Sequence, residues 1–223
     1  MITQLITVPT DGVELPGDLA LPDSARAVVV FAHGSGSSRH SPRNRAVAAE
    51  LHTAGLGTVL TDLLTRDEDR HDASTARHRF DIPLLARRVV DVVDWLETQP
   101  ATEDLPVILF GASTGAAAAL AAAAARQRRT LTVVSRGGRP DLAADALRDV
   151  RAPVLLIVGG RDPEVLRLNQ AAARELSGPH SLRVVPGATH LFEEPGALEQ
   201  VADIVKRWCE DRLDAVREAA PQT

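Results

Sequence analysis

The chain carries one cysteine, Cys209, so no intramolecular disulfide is open to it; the thiol sits in the helical pattern ADIVKRWCEDRL, as a packed or incidental surface group, and points to a reducing compartment. Tyrosine is absent, and aromatic residues make up only 3% of the chain. A basic stripe is missing too. The formal charge of -5 arises from interspersed acids and bases, which leaves a nucleic-acid backbone no surface to bind. No run approaches the ~20 lipid-compatible residues of a membrane span. The nearest, Ala116 to Ala125, is ended by Arg126. The start, MITQLITVPTDG, has neither the basic region nor the apolar stretch of a signal peptide. The expectation is a cytoplasmic protein with no nucleic-acid or membrane partner. Nor is there a linker rich in Gly, Ser or Pro, or an internal repeat. With 223 residues and 44% apolar content, one domain over 1–223 is expected.

What is present is a change of period. Residues 2–8 and 13–21 alternate around Thr10-Asp11-Gly12, the pattern of an antiparallel hairpin. Short β-branched runs follow at 27–32, 56–61, 106–111, 130–135, 153–158 and 181–185, nearly continuous in apolar character, as strands buried on both faces should be. Helical patterns lie between them at 43–54, 82–98, 114–127, 163–176 and 196–217. In the second, Leu85, Val89, Val92, Val93 and Leu96 share one stripe and Asp81 is placed to cap the start. Alternation of strand and helix predicts an α/β fold: a mostly parallel, doubly wound sheet with an N-terminal antiparallel hairpin. The alanine run reads either as a helix that approaches the sheet closely or as plain helix propensity. The polar stretch 62–79 reads as the longest loop, a candidate lip of the site.

Gly111-Ala112-Ser113-Thr114-Gly115 follows the apolar run LPVILF and precedes a helix, the strand, turn and helix context of a G-x-S-x-G nucleophile elbow. A hydroxyl becomes a nucleophile when a base takes its proton, and the base needs an acid to hold its tautomer. Asp162, in Gly159-Gly160-Arg161-Asp162-Pro163, and His190, in Pro186-Gly187-Ala188-Thr189-His190, both follow strand ends, and the chain order is Ser, Asp, His. Alone, Asp162 reads as the cap of the helix starting at Pro163, and His190 as a surface residue. An oxyanion hole needs donors aimed in advance. His33-Gly34-Ser35-Gly36 after a strand suggests the backbone N–H groups of Ser35 and Thr114, with His33 bracing the loop. Arg136 and Arg139 lie beyond the strand after the elbow helix, where a guanidinium would pair with a substrate carboxylate or else bind the acidic 62–79 stretch.

The ordered set HGSG, GASTG, GGRDP and GATH resembles the α/β-hydrolase superfamily and, within it, the small dienelactone-hydrolase-like serine hydrolases. The resemblance spans nearly the whole chain. It implies hydrolysis of a small-molecule acyl substrate such as an ester, thioester or lactone, with no cofactor and no metal. Dienelactone hydrolases proper typically use cysteine as nucleophile, and Ser113 departs from that. The stretch Arg136 to Ala152 is too short for the helical cap domain of many superfamily members, which implies an open pocket.

Other readings compete. Gly34-Ser35-Gly36 with Asp62 mimics a dinucleotide fingerprint, but Arg39 stands at the third glycine position. Asp67, Glu68, Asp69, His71, Asp72 and His78 are metal-ligand types, and in such a run also ordinary solvated charge. A non-catalytic binding protein on the same scaffold would show a decayed triad, and here the triad types are intact.

Overall fold

The computed structural model describes residues 1–219. Strand β1 (Ile2–Thr10) turns directly into β2 (Val13–Leu21) through Asp11 and Gly12, both at positive φ (36° and 80°). That two-residue turn matches the right-handed twist of its strands, as the Asp-Gly pair predicts. Six more strands complete one eight-stranded sheet: β3 (Ala27–Ala32), β4 (Leu56–Thr61), β5 (Val107–Ala112), β6 (Thr130–Arg136), β7 (Val154–Gly159) and β8 (His180–Val185). Their order is β1-β2-β4-β3-β5-β6-β7-β8, with β1 and β2 antiparallel and the rest parallel. β3 through β7 are buried on both faces. β8 departs from the expected apolar run: it is the sheet edge, its pattern is mixed, and only Val185 is buried.

Helices cover both faces. α1 (Pro42–Thr53) and α6 (Ala197–Ala219) pack on one side, where Val47, Leu51, Val201 and Val205 meet Phe31, Phe110 and Ile157. On the other, α3 (Ile82–Glu97), α4 (Thr114–Ala125) and α5 (Pro163–Glu175) enclose a second cluster, and the stripe Leu85, Val89, Val92, Val93 and Leu96 faces it as its period requires. Asp81 accepts from Leu84 N–H at 3.0 Å to start α3. The alanine run is α4, packed beside α3 on the same face and directly against β3, β5 and β6, with Ala116 to Ala119 fully buried. Close approach is its purpose, since a Cβ on Gly115 would overlap the carbonyl oxygens of Ala32 and His33. Cys209 is buried in α6, and desolvation pushes its thiol up to about 12.

The stretch 62–79 is a correction. It holds a helix, α2 (Arg66–Thr75), opened by a capping box in which Thr65 Oγ1 accepts from Glu68 N–H and Glu68 accepts from Thr65 N–H. Three of its four acids are engaged: Glu68 pairs with Arg88, Asp72 with Arg79 and Asp67 with Arg70. Between Arg136 and Ala152 lie only two short 3₁₀ turns over Pro140–Asp149, so no cap domain covers the sheet edge. No helix among the described residues is long and apolar enough to cross a membrane.

Strand order places the site. From β3 the chain moves outward to β4, then crosses back to β5 on the other side, so the carboxyl ends of β3 and β5 diverge into a crevice. In open α/β sheets that switch point is where ligands bind.

Candidate active site

β3 delivers His33-Gly34-Ser35 to this crevice and β5 delivers Ser113. Ser113 lies between β5 and α4 with φ 51° and ψ −122°, a region costing an L-residue about 1–3 kcal/mol. The surroundings hold it there. Its N–H donates to Arg136 O at 3.3 Å, and its carbonyl accepts from Arg139 N–H at 3.0 Å. Room for the turn comes from Gly34, whose Cβ would stand 2.9 Å from that of Ser113.

The other two expected residues are brought together. His190 Nδ1 lies 2.7 Å from Asp162 Oδ2, while Asp162 Oδ1 caps α5 through Val165 N–H at 3.4 Å. One carboxylate thus caps α5 and bonds His190 at once. Glu194 accepts from Thr189 N–H through both carboxylate oxygens at 3.1 Å, fixing the loop next to His190, and these bonds draw its pKa down. Ser113 and His190 line one cavity of about 210 Å³ together with Arg136 and Arg43.

The pair expected as oxyanion donors is adjacent but partly committed: Ser35 N–H donates to Thr114 Oγ1 at 3.0 Å, and the two hydroxyls also lie 3.0 Å apart. His33 braces the loop as expected. Its Nδ1 donates to Gly34 O at 3.0 Å, its Nε2 accepts from Leu63 N–H at 2.9 Å, and burial lowers its pKa.

The arginines separate. Arg136 is buried and borders the cavity. Arg139 does not: its guanidinium is spent on Asp141 at 2.8 Å away from the cavity, and its link to the site is the backbone bond to Ser113. Neither guanidinium binds α2. The residues of the dinucleotide reading bond each other, Arg39 N–H to Asp62 at 2.8 Å with the guanidinium on the same carboxylate. No residue of 62–79 lines this cavity; Leu64, Asp69 and Arg79 border a smaller neighbouring one together with Gly34, Ser35 and Thr114. Sequence reading missed Arg43, Ser41 and Asn44. Their one signal was Ser41-Pro42, a cap and first-turn pair that starts α1 at this edge.

Comparison with known proteins bears on the family and the fold. The sequence model of the dienelactone hydrolase family matches residues 15–219. A dienelactone hydrolase from Anabaena variabilis superposes with a TM-score of 0.91 at 52% identity, covering 93% of this chain and 96% of that one. Est1E from Butyrivibrio proteoclasticus, at 17% identity, shares the fold with a TM-score of 0.79 over 94% of this chain and 99% of its own. A Mycobacterium tuberculosis protein provisionally named a phosphoribosyl transferase is 58% identical over 208 residues, 93% of this chain. The chain spans about half the length of that relative, 46%.

Proposed function

Since the chain belongs to the dienelactone hydrolase family, we propose that it is a serine hydrolase that cleaves a carboxylic ester, thioester or lactone through an acyl-enzyme on Ser113. One observation carries the reading: a strained serine at a strand-to-helix elbow shares a small cavity with a histidine whose far nitrogen is held by a carboxylate.

The mechanism follows from that geometry. Asp162 accepts from His190 Nδ1–H, which leaves Nε2 without a proton and free to take one. His190 removes the Ser113 hydroxyl proton as Oγ attacks the acyl carbon, and the carbonyl electron pair moves to oxygen. Thr114 N–H, at the amino end of α4, faces that developing charge with the helix dipole behind it. Ser35 N–H joins it once the Thr114 hydroxyl turns aside. His190 then returns the proton to the leaving group, and water repeats the sequence on the acyl-enzyme. Arg136 contacts the substrate from the cavity wall. The transferase name of the M. tuberculosis relative belongs to a protein of which this chain matches 46%, so it does not assign the chemistry of the matched part.

A fluorophosphonate probe tests the reading. Labelling of the wild-type protein that disappears in Ser113→Ala supports it, and a folded protein that is never labelled and turns over no p-nitrophenyl ester, thioester or lactone overturns it.

A further inference from the structure

Arg136 retains 6% of its surface, and its Nη1 has no hydrogen-bond partner among the described residues. Its guanidinium stands 5.8 Å from the Phe110 ring centroid, a contact that offsets only part of the lost hydration. A buried charge without a counterion is strongly unfavourable, and chains keep one where a ligand completes it. Arg43 compounds the demand. It lines the same cavity from the first turn of α1, and its charge acts on Arg136, whose pKa burial and this repulsion bring down to about 10. Arg136 is therefore still a cation at neutral pH. The carboxylate paired with Arg43 is Glu193, a surface residue at 2.9 Å.

The donors around the cavity point to a particular anion. In the first turn of α1, Pro42 has no N–H, Ser41 Oγ caps Asn44 N–H, and Arg45 N–H bonds Ser41 O. That leaves the Arg43 amide as an open donor at the positive end of the helix dipole. Ser37 and Ser41 add hydroxyls. One guanidinium saturates the two oxygens of a carboxylate. Two guanidinium groups, a helix amide and hydroxyls exceed that need and match three terminal oxygens and a double negative charge. A cavity of about 210 Å³ holds such a group with only a small acyl portion beside it.

We propose that Arg136 and Arg43 form an anion subsite beside Ser113 that holds the phosphate of a small phosphorylated ester or thioester. This deepens the hydrolase reading and rests on it for the word substrate, but the subsite is testable without turnover. Inorganic phosphate and acetate are titrated calorimetrically, at constant ionic strength, into the wild-type chain and into Arg136→Gln and Arg43→Gln, with folding checked by thermal denaturation. Phosphate is expected to bind the wild type about tenfold or more tighter than acetate, and each variant to weaken phosphate by about tenfold or more. If the loss of Arg136 unfolds the chain, Arg43→Gln, on an accessible first turn, decides the matter. No phosphate binding at millimolar concentrations, acetate binding as tightly, or undiminished binding in folded Arg43→Gln overturns the proposal. Phosphate binding by a chain that hydrolyses no ester would refute the hydrolase reading and leave the subsite; ester turnover without phosphate binding would do the reverse.

Discussion

Asp162 divides its carboxylate, giving Oδ2 to His190 Nδ1 at 2.7 Å and Oδ1 to the first turn of α5 through Val165 N–H. The helix cap thereby aims the acid, because the oxygen bound to α5 fixes the direction of the other. Asp162→Asn separates the two functions. The amide oxygen still caps α5, while the NH₂ group meets His190 Nδ1 and favours the wrong tautomer. A loss of about 10⁴-fold in kcat with nearly unchanged thermal stability is expected. Full activity in a folded variant would remove Asp162 from the mechanism.

Ser113 carries its strain in the backbone, at φ 51°. Alanine there inherits the strain and glycine does not, so both Ser113→Ala and Ser113→Gly should lose turnover while only the glycine variant gains stability, about 1 kcal/mol net of its larger unfolded-state entropy. Urea denaturation of the two inactive variants reads the difference. Equal midpoints would mean that the elbow is not strained.

Much of this was legible because it is periodic or local. Strands showed as β-branched runs, and the order Ser113, Asp162, His190 needed only the knowledge that each follows a strand end. The missed parts are of two kinds. α2 is hidden by its charge: Arg66 to Thr75 has no apolar stripe, and its one local signal is the capping box of Thr65 and Glu68. The remainder is spatial. Arg43 reaches the cavity from the opposite side of the crevice to Arg136, Thr114 occupies Ser35 N–H through a side-chain rotamer, and Arg139 serves through its amide. None of these leaves a trace in spacing.

Gly115 tests the packing beneath the elbow. A methyl group there would meet the carbonyls of Ala32 and His33, both backbone and unable to yield. Gly115→Ala should cost about 3 kcal/mol or more, at the upper end of overpacking, and lower the denaturation midpoint without changing any charge. A variant within about 0.5 kcal/mol of wild type would show that α4 is not wedged against β3.

His33 sets a pH limit on stability. Its folded pKa is lowered from 6.5, chiefly by burial, and its Nε2 must stay unprotonated to accept from Leu63 N–H. The unfolded chain therefore binds this proton first. The contribution is fully present above about 6.5 and is lost as pH falls from there through the lower folded value. Chemical denaturation between pH 5 and 7 should show stability rising with pH, and His33→Gln, which keeps a donor and an acceptor, should flatten that slope. An unchanged slope in the variant would assign it to other groups.

Glu68 acts at a lower pH and from outside the site. Its carboxylate bonds Arg88 through both oxygens, at 2.6 and 2.7 Å, and accepts from Thr65 N–H, and chiefly the Arg88 bonds bring its pKa down to about 2. Arg88 retains 4% of its side-chain surface and Glu68 retains 24%, so the pair is neither a surface bridge nor a dry one. Because the folded value lies below the ordinary 4.5, the stabilisation is present above about 4.5 and disappears as pH falls toward 2. Glu68→Gln removes the charge and one of the two side-chain acceptors, leaving a buried guanidinium with Leu63 O and a single amide oxygen in place of its carboxylate. Breaking a fully buried pair costs about 3–5 kcal/mol, and the exposure of Glu68 reduces that to about 2–3 kcal/mol at neutral pH. The loss should shrink below about pH 4.5 as the wild type itself is acidified, so that the two denaturation curves converge only as pH approaches 2. It should also leave kcat nearly unchanged, since α2 does not line the cavity. A large fall in kcat with little loss of stability would instead place α2 in the working parts of the site.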